Sequence, residues 1–166
     1  QFEQANLVEM VIETSERHQI PPEMLTLEVT ETTAMRNPDA SVEILERLTQ
    51  YGVKASIDDF GTGYSSLLYL KRLPASELKI DGAFINDLIA GSEDASIVSA
   101  IIALGQTLNL KVVAEGVETI QQQEFLTQLG CDTLQGYLLG RPMTPQQIAQ
   151  HPDTDWESQI TLTDKA

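Results

Sequence analysis

Apolar residues recur along this chain at two alternating periods. Leu7, Val8, Val11 and Ile12 fall at helical spacing within Glu3 to Gln19, and Ile20-Pro21-Pro22 stops that helix. Leu25 to Glu31 is short and β-branched, which predicts a strand with acidic groups at its end. Asn37-Pro38 then predicts an N-cap and first-turn proline for a helix through Tyr51, closed by Gly52. The alternation continues with strands at 55–57 and 78–80, a helical turn from Ser65 to Leu70, a helix from Ile97 to Leu108 and a strand over Lys111 to Ala114. Thr119 with Gln122 three residues on predicts a capping box, for a helix that runs to Gly130. Thr133 to Gln135 reads as a fifth strand, and Thr144-Pro145 starts a last helix. The polar stretch from His151 to Ala166 has no clear period, so the domain is placed at 1–150 with 151–166 as a C-terminal tail.

Strands alternating with helices imply α/β architecture with parallel strands, either an open doubly wound sheet or part of a (β/α) barrel. A complete eight-unit barrel needs about 250 residues. The 166 residues here therefore supply about five strand–helix units of a partial, TIM-like barrel. Charge narrows the partners. With 10 Lys and Arg against 25 Asp and Glu, the net charge of −15 opposes binding to DNA or to an anionic membrane surface. The lone Cys131 excludes an internal disulfide, no apolar run is long enough to span a bilayer, and the N-terminal residues do not resemble a signal peptide. The expected compartment is the cytoplasm, with membrane tethering left to other parts of a longer parent.

Function in parallel α/β folds sits at the C-terminal ends of the strands. Here those ends carry Glu28-x-x-Glu31, Asp58-Asp59, Lys79-Ile80-Asp81, Glu115-x-x-Glu118 and Gln135-Gly136. Seven carboxylates and a lysine on one face call for bound cations, and all-oxygen donors suit Mg²⁺ or Mn²⁺ rather than zinc. Adjacent carboxylates such as Asp58 and Asp59 suit a two-metal site acting on a phosphodiester. Gly61-Thr62-Gly63 lacks the third glycine of a dinucleotide fingerprint, since Ser66 stands there. Lys79 is open to three roles: ion pairing, Schiff-base chemistry in an aldolase-like barrel, or positioning of water and phosphate.

The segments Leu27-Glu28-Val29-Thr30-Glu31-Thr32, Ile57 to Leu67, Leu78-Lys79-Ile80-Asp81, Val113 to Thr119 and Gln135-Gly136-Tyr137 resemble, in order, the motifs of EAL-domain cyclic di-GMP phosphodiesterases. The resemblance runs from about Gln1 to about Pro142. It implies hydrolysis of one phosphodiester bond of cyclic di-GMP to give linear diguanylate. It implies further that Glu28 and Asp58 bind one Mg²⁺ or Mn²⁺, that Asp58 bridges to a second ion served by Asp59 with Glu115 close by, and that Lys79 positions the attacking water. Glu115 is the implied general base. Glu31 is implied to hold the loop from Phe60 through Gly61, Thr62 and Gly63 to Ser66, with Asp81, Glu118 and Gln135 as supporting polar residues.

The Glu-Ala-Leu motif and an Asn-x-Ser metal-ligand strand of that family belong upstream of Gln1, so the chain reads as the C-terminal two-thirds of the domain, with an incomplete metal site. The function expected is a cyclic di-GMP phosphodiesterase domain. The alternative is a non-catalytic receptor or regulatory module that binds cyclic di-GMP or a protein partner. Homodimerisation or association through exposed barrel edges is expected, and an upstream sensor or diguanylate-cyclase-like domain is the expected neighbour.

Overall fold

A computed structural model describes residues 2, 6–63, 67–89 and 91–150. Residues 3–5 and 65–66 of the expected helices, and the tail at 151–166, lie outside the described residues.

The chain runs through α1 (Leu7–His18), β1 (Thr26–Thr30), α2 (Glu31–Arg36), α3 (Pro38–Tyr51), β2 (Lys54–Phe60), α4 (Leu67–Leu70), β3 (Glu77–Ile80), α5 (Ala83–Asn86), α6 (Glu93–Leu108), β4 (Lys111–Ala114), α7 (Ile120–Gln128), β5 (Thr133–Leu134) and α8 (Pro145–Gln150). All strand pairs are parallel and the spatial order is β1-β2-β3-β4-β5. That order decides between the two architectures. A doubly wound sheet reverses direction at a switch point, whereas here every crossover advances one strand the same way, as around a barrel.

Period-two alternation sorts the side chains. Val29, Ala55, Ile57, Leu78, Ile80, Val112 and Ala114 share the helix-covered face and are buried, against Leu45 and Leu48 of α3 and Val98, Ile101 and Ile102 of α6. The opposite face carries Glu28, Ser56, Asp58, Lys79 and Val113 in register across four strands. The polar face is thus the inward side of the barrel segment, and its charges lie toward the strand ends. A cavity of about 280 Å³ opens along β1, lined by residues that include Phe2, Leu7, Leu27, Leu45 and Leu48, and among the charged groups named so far it shares only Glu28.

Local chemistry moved some boundaries. Helix α6 begins at Glu93 rather than Ile97, because the Ser92 hydroxyl accepts from the Ala95 N–H at 3.1 Å and Glu93 and Asp94 complement the helix dipole. Asn37 precedes Pro38 as expected but makes no side-chain cap. Glu31 does not end a strand; it opens α2, capped by Thr30 through the Thr33 N–H at 3.4 Å. The capping box at Thr119 and Gln122 is present as read.

Loops at the strand ends are fitted tightly. A Cβ added at Gly136 would stand 2.1 Å from the carbonyl oxygen and 2.3 Å from the nitrogen of Val117, both backbone atoms with nowhere to go. Gly136→Ala is therefore expected to destabilise the fold by about 1–3 kcal/mol through overpacking. Chemical denaturation of the two proteins side by side measures it, and an unchanged midpoint would show that the β5 loop is free to move.

Candidate active site

The site is centred on one buried ammonium. Lys79 Nζ lies 2.8 Å from Glu28 Oε1, 3.1 Å from Asp58 Oδ1 and 2.8 Å from Glu115 Oε1, so groups from β1, β2 and the end of β4 converge on a lysine of β3. Burial pulls the Lys79 ammonium toward deprotonation, but contacts with Glu115, Glu28 and Asp58 together outweigh it and hold its pKa above the ordinary lysine value. Three ion pairs favour the charged ammonium over the neutral amine that a Schiff-base lysine needs, which speaks against the aldolase alternative.

Three carboxylates face one ammonium, so the cluster keeps surplus negative charge. Asp58 Oδ1 is a buried oxygen with no hydrogen bond, held only by its ion pair with Lys79. The carboxyl of Asp59 is pushed above the usual range by desolvation first, then by the charges of Asp58 and Asp81. The β2–β3 register shifts between Ile57 and Phe60, an irregularity that interrupts the alternation which sends neighbours such as Asp58 and Asp59 to opposite faces. Asp59 takes a left-handed φ of 53°, a conformation Asp tolerates better than most residues. The Thr62 hydroxyl closes that turn by donating to the Asp59 carbonyl at 2.9 Å.

Oxygen donors, a buried oxygen without a hydrogen bond and uncompensated charge fit hard divalent cations. Among the described residues, though, no group of three His, Cys, Asp or Glu side chains stands ready as a cage, because Lys79 draws Glu28, Asp58 and Glu115 to itself. Asp59→Asn follows as a test of the surplus charge. Asparagine keeps the left-handed backbone and removes a charge the folded state disfavours. An Asp whose folded pKa is raised weakens the fold once pH exceeds its unfolded pKa. The variant is therefore expected to melt higher than wild type at pH 7 in chelator, and an equal or lower melting temperature would show that Asp59 is already compensated.

Not every expected carboxylate joins the cluster. Glu31 is buried and turned toward the loop, where Oε2 accepts from the Gly61 N–H at 2.8 Å. Gly63 lets the chain pass, since a Cβ there would meet Glu31 Oε1 at 2.8 Å. Phe60 is buried and anchors the start of the same loop; Tyr64, Ser65 and Ser66 lie outside the described residues. Asp81 Oδ1 accepts from the Ala83 N–H at 2.7 Å, shaping its own turn. Glu118 and Gln135 are exposed. The backbone N–H of Glu118 donates to Gln122 Oε1, and that of Gln135 donates to the Ala114 carbonyl. The expectation of seven carboxylates on one face thus narrows to three at Lys79, with Asp59 and Asp81 close enough to influence each other electrostatically.

Comparison with known proteins places this geometry in context. The family model described as the EAL domain matches residues 1–142. The bifunctional diguanylate cyclase/cyclic di-GMP phosphodiesterase MucR of Pseudomonas aeruginosa is 68% identical over 148 residues, covering 89% of this chain and 22% of that protein. A structure titled PaMucR phosphodiesterase, c-di-GMP complex, aligns with a TM-score of 0.86 and 67% identity, over 89% of this chain and 60% of that one. The manganese/cyclic di-GMP complex of Klebsiella pneumoniae BlrP1 aligns with a TM-score of 0.76 and 32% identity, over 85% of this chain and 36% of that one. The chain thus spans about a fifth of the length of the curated relative it matches.

Proposed function

The chain belongs to the EAL domain family, and from that premise we propose that it forms part of a phosphodiesterase that hydrolyses one phosphodiester bond of cyclic di-GMP to linear diguanylate. The observation that carries the reading is the convergence of Glu28 of β1, Asp58 of β2 and Glu115, just past β4, on the buried Lys79 ammonium. Strand ends of a parallel barrel are where catalytic groups collect, and a receptor has no chemical use for this acid–base set.

Glu28, Asp58, Asp59 and Glu115 would hold divalent cations, Mg²⁺ or Mn²⁺. The Mn²⁺ complex of BlrP1 supports such a cofactor. When bound, a cation there supplies charge neutralisation for the phosphodiester and acidifies water. The protein's own groups do the rest. Glu115 takes the proton as water attacks phosphorus, the P–O bond to the ribose oxygen breaks, and that oxygen leaves with a proton from solvent. The fixed charge of Lys79 orients Glu115 and the incoming water and faces the charge that develops on the phosphate. Glu31 holds the Gly61 end of the loop beside Asp59. Asp81, Glu118 and Gln135 belong to the supporting rim, residues 1–150 form the EAL portion, and 151–166 are a C-terminal tail.

The parent is proposed to act as a homodimer and also to carry a further signalling domain; the bifunctional MucR supports the further domain alone. Among the described residues no helix is long and apolar enough to cross a membrane. The second reading is a non-catalytic receptor or regulatory module that binds cyclic di-GMP or a protein partner.

The deciding experiment incubates the full-length protein with cyclic di-GMP and Mn²⁺ and follows linear diguanylate by chromatography. Turnover that Glu115→Ala removes establishes the enzyme. Tight binding of cyclic di-GMP without turnover would establish the receptor instead.

A further inference from the structure

One buried polar side chain stands outside the cluster and is fully committed. Gln122 is 4% exposed. Its Oε1 accepts from the Glu118 N–H at 2.8 Å and the Thr119 N–H at 2.9 Å, while Nε2 donates to the Ile85 carbonyl at 2.7 Å and the Asn86 carbonyl at 3.2 Å. A side-chain amide offers two acceptor sites and two N–H groups, so every one is used. A capping box needs only the acceptor side. The donor side reaches back to α5, on the loop that follows β3.

The two loops so joined are the ones that carry Asp81 and Glu115. Regular pairing of β3 with β4 ends at Ile80 and Ala114, and the next backbone bond, from Glu115 N–H to the Ile80 carbonyl, is already long at 3.3 Å. Beyond that point the loops meet backbone to backbone. A Cβ on Gly116 would stand 3.3 Å from Gly82 Cα, so a side chain there would press the two backbones apart by a few tenths of an ångström. Glu115 and Asp81 each sit one residue before that contact, and the 2.8 Å pair between Glu115 and Lys79 spans the same seam.

We propose that Gln122 is a positioning residue: by clamping the β3 and β4 loops together it sets the Glu115 carboxylate against Lys79. This rests on the hydrolytic reading given above. Gln122 touches neither substrate nor reacting atoms and acts only through the loop it holds. A displacement of about 1 Å at a catalytic group is enough to cost up to 10²-fold in rate.

Gln122→Glu separates this role from helix capping. The glutamate keeps the acceptor for Glu118 and Thr119, as capping boxes often do, but places an oxygen where Nε2 donates to Ile85 and Asn86. In the full-length protein, kcat is read per cyclic di-GMP binding site, counted by calorimetric titration, so that unfolded molecules do not enter. The expected result is a fall in kcat of at least about tenfold with KM changed less than about threefold, as misplacement of one group predicts. A kcat within about twofold of wild type would reduce Gln122 to a cap and overturn the proposal. Should Gln122→Glu fail to fold, Gln122→Met, which loses cap and clamp, is compared with Thr119→Val, which loses the Thr119 half of the cap alone: a kcat at least about tenfold lower in the former only supports the clamp, and equal losses overturn it. Absence of turnover in the wild-type protein would mark failure of the hydrolytic reading, whereas an active wild type with an equally active variant marks failure of the clamp alone.

Discussion

Lys79→Met is expected to lower kcat for cyclic di-GMP hydrolysis by about 10²–10³-fold, the loss typical of removing one preorganised charge from an active site. The substitution keeps much of the aliphatic stem and deletes the ammonium that Glu28, Asp58 and Glu115 share. Stability should fall too, but by less than the 3–5 kcal/mol that breaking a fully buried pair costs. Glu28 is half exposed, and Asp58 and Glu115 are about one-fifth exposed, so solvent relieves their charges; about 1–2 kcal/mol is expected once that screening is allowed for. Excess Mg²⁺ should restore part of the melting temperature without restoring turnover. Lys79→Arg should rescue little, since a planar fork does not reproduce a point charge with three donors. The pKa of Lys79 is raised in the fold, so its contribution to stability is complete below the ordinary lysine pKa and fades only as pH rises through the higher folded value. Wild-type turnover in Lys79→Met would remove Lys79 from the mechanism.

Glu115→Gln tests the base with the least disturbance. The amide oxygen still accepts from Lys79, so the 2.8 Å contact and the loop remain, while the proton acceptor is lost. Hydrolysis should drop by about 10²–10⁴-fold, the range for deleting a general base. Binding of cyclic di-GMP should persist, measured by calorimetry on the same samples. Near-normal turnover would move the base assignment to another carboxylate.

The architecture, and the residues that meet at Lys79, were legible in the one-dimensional pattern. Alternating periods placed all five strands to within a few residues at either end. Strand ends are where a parallel fold presents its polar groups, so the charged residues there pointed to Glu28, Asp58, Lys79 and Glu115, which the structure brings into contact. Local capping was legible as well, because Thr119 and Gln122 interact within one helical turn. What periodicity does not encode is the count of residues across a strand pair. The extra residue between Ile57 and Phe60, and the left-handed turn at Asp59, depend on how β2 meets β3.

The partner chosen by each carboxylate was equally hidden. Glu28 and Glu31 lie three residues apart, yet one reaches Lys79 and the other, opening α2, turns to the Gly61 N–H. Gln122 looked like a cap and is also a bridge to α5. The sequence by itself determined the strand–helix alternation, the acidic strand ends and the caps, because these rest on spacing and on contacts within a turn. Only the tertiary structure decided the barrel order of the strands, the pairing of Lys79 with three carboxylates and the joining of the β3 and β4 loops, because each depends on groups brought together from about 20 or more residues apart.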